Sequence, residues 1–104
     1  MLVVRCYDTH APERQRLKAP IYKFNKKNKF VALQIGDSPI SFSILEILDS
    51  GEFAIDDWLE WKDHYTLGHT QVKNLRTGET LSGYFQNHDV HRDLLLVQLQ
   101  ITPN

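Results

Sequence analysis

The chain has a single cysteine, Cys6, among its 104 residues, so no disulfide can form within it and nothing points to an oxidising compartment. It has no apolar run approaching the roughly 20 residues that a membrane-spanning helix needs. The opening stretch MLVVRCYD is also too short in its apolar part for a secretory leader. A soluble, cytoplasmic protein with no membrane partner is therefore the expectation. The five glycines, Gly36, Gly51, Gly68, Gly78 and Gly83, fit neither of the spacings that cradle phosphate, which argues against nucleotide hydrolysis and against a dinucleotide cofactor. No G-x-S-x-G turn is present, and Ser41 and Ser43 lie inside a strand-like run, so serine-hydrolase chemistry has no support. Cys6 sits in a short apolar strand pattern, where a thiol is usually buried and inert. No cofactor is expected.

What the chain does contain is an ordinary globular balance. Apolar residues make up 41% and charged residues 24%, outside the range of disordered chains, and 104 residues make one domain with one core, 1–104. The net charge of -1 conceals a polarised sequence. Residues 1–35 hold eight Lys/Arg against two Asp/Glu, a net +6, while residues 36–104 hold four against eleven, a net -7. The basic stretch from Arg14 to Phe30 is a candidate nucleic-acid surface: Lys23, Lys26, Lys27 and Lys29 would meet phosphates, and Tyr22, Phe24 or Phe30 would stack on bases. It could equally pack beside the acidic stretch Glu46–Asp63 or stay solvated.

Local pattern supplies the organisation, because no repeat or low-complexity tract is present. Residues 2–7 read as a strand and residues 8–20, with two prolines, as a loop. IYKF-NKKN-KFVALQI reads as a hairpin with a basic tip, with Val31, Leu33 and Ile35 on one side. ISFSILEIL alternates as a strand at Ile40, Phe42 and Ile44, then loses the alternation at Leu45, Ile47 and Leu48, which implies a bulge or burial on both faces. Asp57 and Glu60 resemble a capping box, and Trp58, Trp61 and Tyr65 fall at helical spacing, so a short helix is expected at about 57–65. Asp57, Trp58, Glu60 and Trp61 are the candidate partner-binding residues, tryptophan being enriched in binding hot spots; a buried, structural role is the alternative. TQVKNLR-TG-ETLSGYF is a hairpin turned at Thr77-Gly78, and LLLVQLQI reads as a last strand with Leu95, Val97, Leu99 and Ile101 on one face. Six to seven strands with at most one helix indicate a mainly β protein, an antiparallel barrel or a sandwich.

Residues 72–96, VKNLRTGETLSGYFQNHDVHRDLLL, resemble the first Sm motif of Sm and LSm proteins. Gly78 stands at the hairpin turn, Gly83 five residues on and Asp89 six beyond that, His91 matches a residue frequent in that loop, and Leu94–Leu96 lead into an apolar strand. Asp93 stands where that family usually has Asn, the second motif is not found, and residues 1–50 have no counterpart. The resemblance implies RNA contact through Asp89, His91 and Asp93, and assembly through strand edges.

The same stretch, HDVHRD, carries the chain's densest set of metal-ligand types. His88, Asp89, His91 and Asp93, with Asp63, His64 and His69 elsewhere, could supply zinc ligands for a metal-dependent hydrolase. Yet His-x-x-His off a helix does not place both rings on one side, and Asn87 and Asp89 also suit a plain turn. A contact loop is the preferred reading of His88, Asp89, His91 and Asp93. Overall, the sequence points to a non-enzymatic binding module, a protein-binding adaptor or inhibitor first and a nucleic-acid binder second. A protein partner or self-association is expected, since small barrels with free edges often assemble.

Overall fold

The computed structural model describes residues 17–36, 40–62 and 67–101. The strand read at 2–7, with Cys6, falls outside the described residues, as do Asp63, His64 and Tyr65. Six strands are present among the described residues: β1 (Leu17–Asn25), β2 (Phe30–Ile35), β3 (Ser41–Ile47), β4 (Trp58–Trp61), β5 (Gly68–Asn74) and β6 (Thr80–Val90). They pair antiparallel in the order β1-β2-β3-β6-β5-β4, and β4 returns to β1 to close a barrel. The chain is thus mainly β, and its sheet closes on itself instead of splitting into a sandwich. A short 3-10 turn, Arg92–Leu94, runs into one helical turn, α1 (Leu95–Gln98). No helix among the described residues is long and apolar enough to cross a membrane.

Alternation on each strand builds the barrel interior. Ala19 and Ile21, Val31 and Leu33, Leu45 and Ile47, Leu59 and Trp61, Val72, then Leu81 and Phe85 form one buried cluster, with the Trp61 and Phe85 rings 5.4 Å apart. Gly83 leaves the room Leu45 needs, since a Cβ there would come within 2.9 Å of Leu45 Cδ1. A second apolar cluster lies on the outer wall, where Ala32, Phe42, Ile44 and Val90 are covered by Leu95 and Leu99. Burial on both faces therefore explains why the alternation of β3 fails: Phe42 and Ile44 face the C-terminal turn, while Leu45 and Ile47 face the interior.

Three sequence-based expectations give way here. Residues 58–61 are strand, not part of a helix over 57–65: Leu59 and Trp61 point inward and Trp58 outward. Three residues apart is one face of a helix but opposite faces of a strand, and the Asp57 carboxylate is engaged by Arg76 across the chain. Residues 95–98 are helical, not the start of a last strand. Leu95 and Leu99, one helical turn apart, are buried, whereas Val97 is exposed, and leucine favours helix over the β-branched residues that favour strand. Finally, Leu17–Pro20 belong to β1, not to a loop. The Ile21 N–H donates to Asp57 O, so the neighbouring Pro20 nitrogen turns away from β4, on the side where pairing with β2 begins only at Ile21. A residue without an N–H is tolerated there.

The basic hairpin forms as expected, with Lys26–Lys29 as its turn and Lys29 at φ 62. Its asparagines clamp the C-terminal turn: Asn25 Nδ2 donates to Leu99 O at 2.9 Å and Asn28 Nδ2 to the same oxygen at 3.2 Å. These bonds serve carbonyls that a helix end leaves without partners. The Thr77-Gly78 hairpin also forms, with Gly78 at φ 78.

Candidate functional site

The HDVHRD stretch does not gather into one site. His88 and Asp89 continue β6 across two register shifts against β3, and the extra residues let neighbouring side chains diverge. His88 turns to the barrel wall, its Nδ1 2.8 Å from the buried Ser43 hydroxyl and its ring 4.8 Å from Phe85. Asp89 is exposed at φ 55. His91 caps the 3-10 turn, accepting from the Asp93 N–H at 3.2 Å, and both of these side chains are exposed. His69 lies on β5, its ring against Tyr84. Among the described residues no three His, Cys, Asp or Glu side chains come together as metal ligands.

The basic hairpin splits in two. A bulge between Ile21 and Lys23 puts Tyr22 and Lys23 together on the outside, and Lys26 and Lys27 are exposed at the tip. Phe24 turns inward against Phe53, rings 5.0 Å apart, and Phe30 packs on the outer core. Lys29 donates to the Asp49 carbonyl. Phe24, Phe30 and Lys29 are thus committed to the fold.

The tryptophans part company as well, and this makes the site. Trp61 is 3% exposed and Trp58 is 47% exposed. Trp58 stands on the outer wall opposite Pro20 of β1, in the register that also sets Lys18 opposite Glu60. A hollow of about 660 Å³ opens on one side of it, lined by Lys18, Asp56, Asp57, Leu75 and Arg76. On the other side a hollow of about 320 Å³ is lined by Lys18, Pro20, Gln34 and Gly36. Trp58 and Lys18 border both.

A polar network holds this wall in place. Asp57, 4% exposed, accepts from Arg76 Nε at 2.6 Å, Arg76 Nη2 at 3.0 Å, Asn74 Nδ2 at 2.9 Å and the Ala54 N–H at 2.9 Å. The Arg76 hydrogen bonds hold the Asp57 carboxyl below its usual range, outweighing burial, which acts the other way; the same pair raises the Arg76 guanidinium. Asn74 Oδ1 in turn accepts from the Arg76 N–H at 2.9 Å, and the Leu75 N–H donates to Trp58 O at 2.9 Å. The β5–β6 hairpin is thereby fastened beside the indole, with Leu75 exposed next to it.

Of the partner-binding residues expected from sequence, Asp57 and Trp58 meet here, Glu60 is their neighbour on β4, and Trp61 lies in the core instead. Nothing in the sequence tied Lys18, Leu75 and Arg76 to Trp58: Lys18 belongs to the basic stretch Arg14–Phe30, Arg76 is 19 positions from Asp57, and no motif links them. The site offers an exposed apolar ring, one arginine oriented by a buried carboxylate and one lysine. Among the described residues it offers no hydroxyl or thiol nucleophile with a base beside it. No family model, no curated protein and no solved structure matches this chain.

Proposed function

We propose that this chain is a non-enzymatic protein-binding module whose working face is the outer wall of β1 and β4 around Trp58. The observation that carries the reading is the exposed Trp58 indole, set between two hollows and stiffened from behind by the Asp57–Arg76–Asn74 network. Tryptophan and arginine are the side chains most enriched where binding energy concentrates, and a pre-set wall loses little freedom when a partner docks. Because the barrel is closed, recognition would run through this face and not through strand addition at a free sheet edge. Nucleic-acid binding at the hairpin is less well supported. Lys29 and Phe24 are spent inside the fold, leaving Tyr22 with Lys23, Lys26 and Lys27 as a small basic patch.

The test is capture by the immobilised full chain. Wild-type protein retains a partner at stoichiometric yield, and Trp58→Ala weakens that interaction by about 30-fold, the equivalent of about 2 kcal/mol for a hot-spot residue, with its unfolding midpoint unchanged. Undiminished capture by a folded Trp58→Ala chain would overturn the proposal.

A further inference from the structure

Resting on that reading, we propose that the Trp58 wall takes an extended acidic peptide segment, in which apolar side chains alternate with carboxylates. The shape comes first. An extended chain sets alternate side chains on one side about 7 Å apart, so two successive same-side residues can straddle an indole and enter the hollows flanking it. The smaller hollow lies where β1 and β2 part: pairing between them begins at Ile21 and Leu33, and Lys18, Pro20, Gln34 and Gly36 line the gap.

Charge then selects the segment. Asp57 is neutralised by Arg76, and Glu60, opposite Lys18 on β4, already has a partner of its own. Lys18 has no ion-pair partner among the described residues, and it alone of the charged groups borders both hollows. The opposing group is Asp56, exposed at φ 72 on the same wall. It precedes Trp58 on the chain while Lys18 pairs two positions beyond Trp58, so the two charges fall at different ends of the larger hollow that both line. Carboxylates of the segment gather at the Lys18 end, and its apolar residues cover Trp58 and Leu75.

Trp58 is itself the reporter, because the chain's other tryptophan, Trp61, is buried. A blocked peptide alternating leucine and glutamate is titrated into the full chain while indole emission is followed, with a leucine–lysine peptide and a single-stranded oligonucleotide as parallel titrants. The leucine–glutamate peptide gives a saturable blue shift that the others do not. Lys18→Glu weakens it about tenfold or more by turning attraction into repulsion, and Lys18→Gln, which keeps the length of the side chain without its charge, weakens it by less. No saturable response, equal affinity for the lysine peptide, a response to the oligonucleotide alone, or no effect of either Lys18 variant overturns the inference. Trp58-dependent capture of a protein alongside any of those results leaves the binding-module reading standing and removes only the acidic segment.

Discussion

Trp61→Ala is expected to lower the free energy of unfolding by about 3–5 kcal/mol, the range for deleting a large aromatic ring from a packed interior, while Trp58→Ala changes it by about 0.5 kcal/mol or less. The two residues are three positions apart on one strand, yet they live in different environments. Trp61 packs on Phe85 among the inward residues of all six strands, so removing it opens a cavity that a closed ring of strands cannot collapse to fill. Trp58 is half-exposed on the outer wall and borders both hollows, so its loss opens no cavity in the interior. A third variant sharpens the contrast. Trp61 Nε1 has no hydrogen-bond partner among the described residues, and a buried unpaired N–H costs about 1–3 kcal/mol. Trp61→Phe removes that donor while keeping much of the ring, so its cost falls well below that of Trp61→Ala. Urea unfolding of the three proteins decides the matter, and similar losses at Trp58 and Trp61 would contradict the inside–outside assignment of β4.

Asp57→Ala is the second large effect, at about 2–4 kcal/mol near neutral pH, because it removes the acceptor of the Ala54 N–H and of one Nδ2 proton of the buried Asn74, which keeps only its bond to Glu52 O, and leaves Arg76 without its carboxylate. Its pH dependence distinguishes a charge effect from mere packing. The Asp57 carboxyl has a folded-state pKa below its unfolded value, with Arg76 the main cause. A depressed carboxyl stabilises the fold above the unfolded pKa of about 3.9, and that contribution is lost as pH falls through the folded pKa. The stability gap between wild type and Asp57→Ala therefore holds steady from pH 7 down to about 4 and narrows below that. A gap unchanged down to the acid-unfolding limit would show that ionisation of Asp57 is not what fastens the hairpin to the wall.

Much of the barrel was legible because two-residue periodicity is a local signal. The hairpin at Lys26–Lys29, the Gly78 turn and the inward row Val31, Leu33 all declare themselves within a few residues. The errors came where one stretch satisfies two periods at once. Trp58, Leu59 and Trp61 fit a helix by their tryptophans and a strand by Leu59 and Trp61, and pairing with β1 decided for strand. Leu94 to Leu99 likewise read either way until the apolar outer wall of β2, β3 and β6 selected Leu95 and Leu99 as one helical face. The candidate site was half visible. Asp57 and Trp58 drew notice for a helix that does not form, whereas Lys18 and Arg76 reach Trp58 only through strand pairing and a turn, and no local pattern announces that. In HDVHRD adjacency in sequence does not carry over into space: the register shifts of β6 turn His88 to Ser43, while His91 faces solvent.

The double cover of β3 has a consequence for motion. That strand is bonded to β2 on one side and β6 on the other, and it has apolar packing on both faces, so exposing its amides to solvent requires removing the C-terminal turn as well as opening the ring. Local openings that release β4, whose outer face is bare at Trp58, leave β3 untouched. Amide exchange should accordingly run from β4 and β1 as the quick side to Phe42–Leu45 as the slowest, with the latter exchanging only through global unfolding. The proposed binding wall and the most protected strand would then lie at opposite ends of one gradient, so changes to the side chains of the wall leave the centre intact.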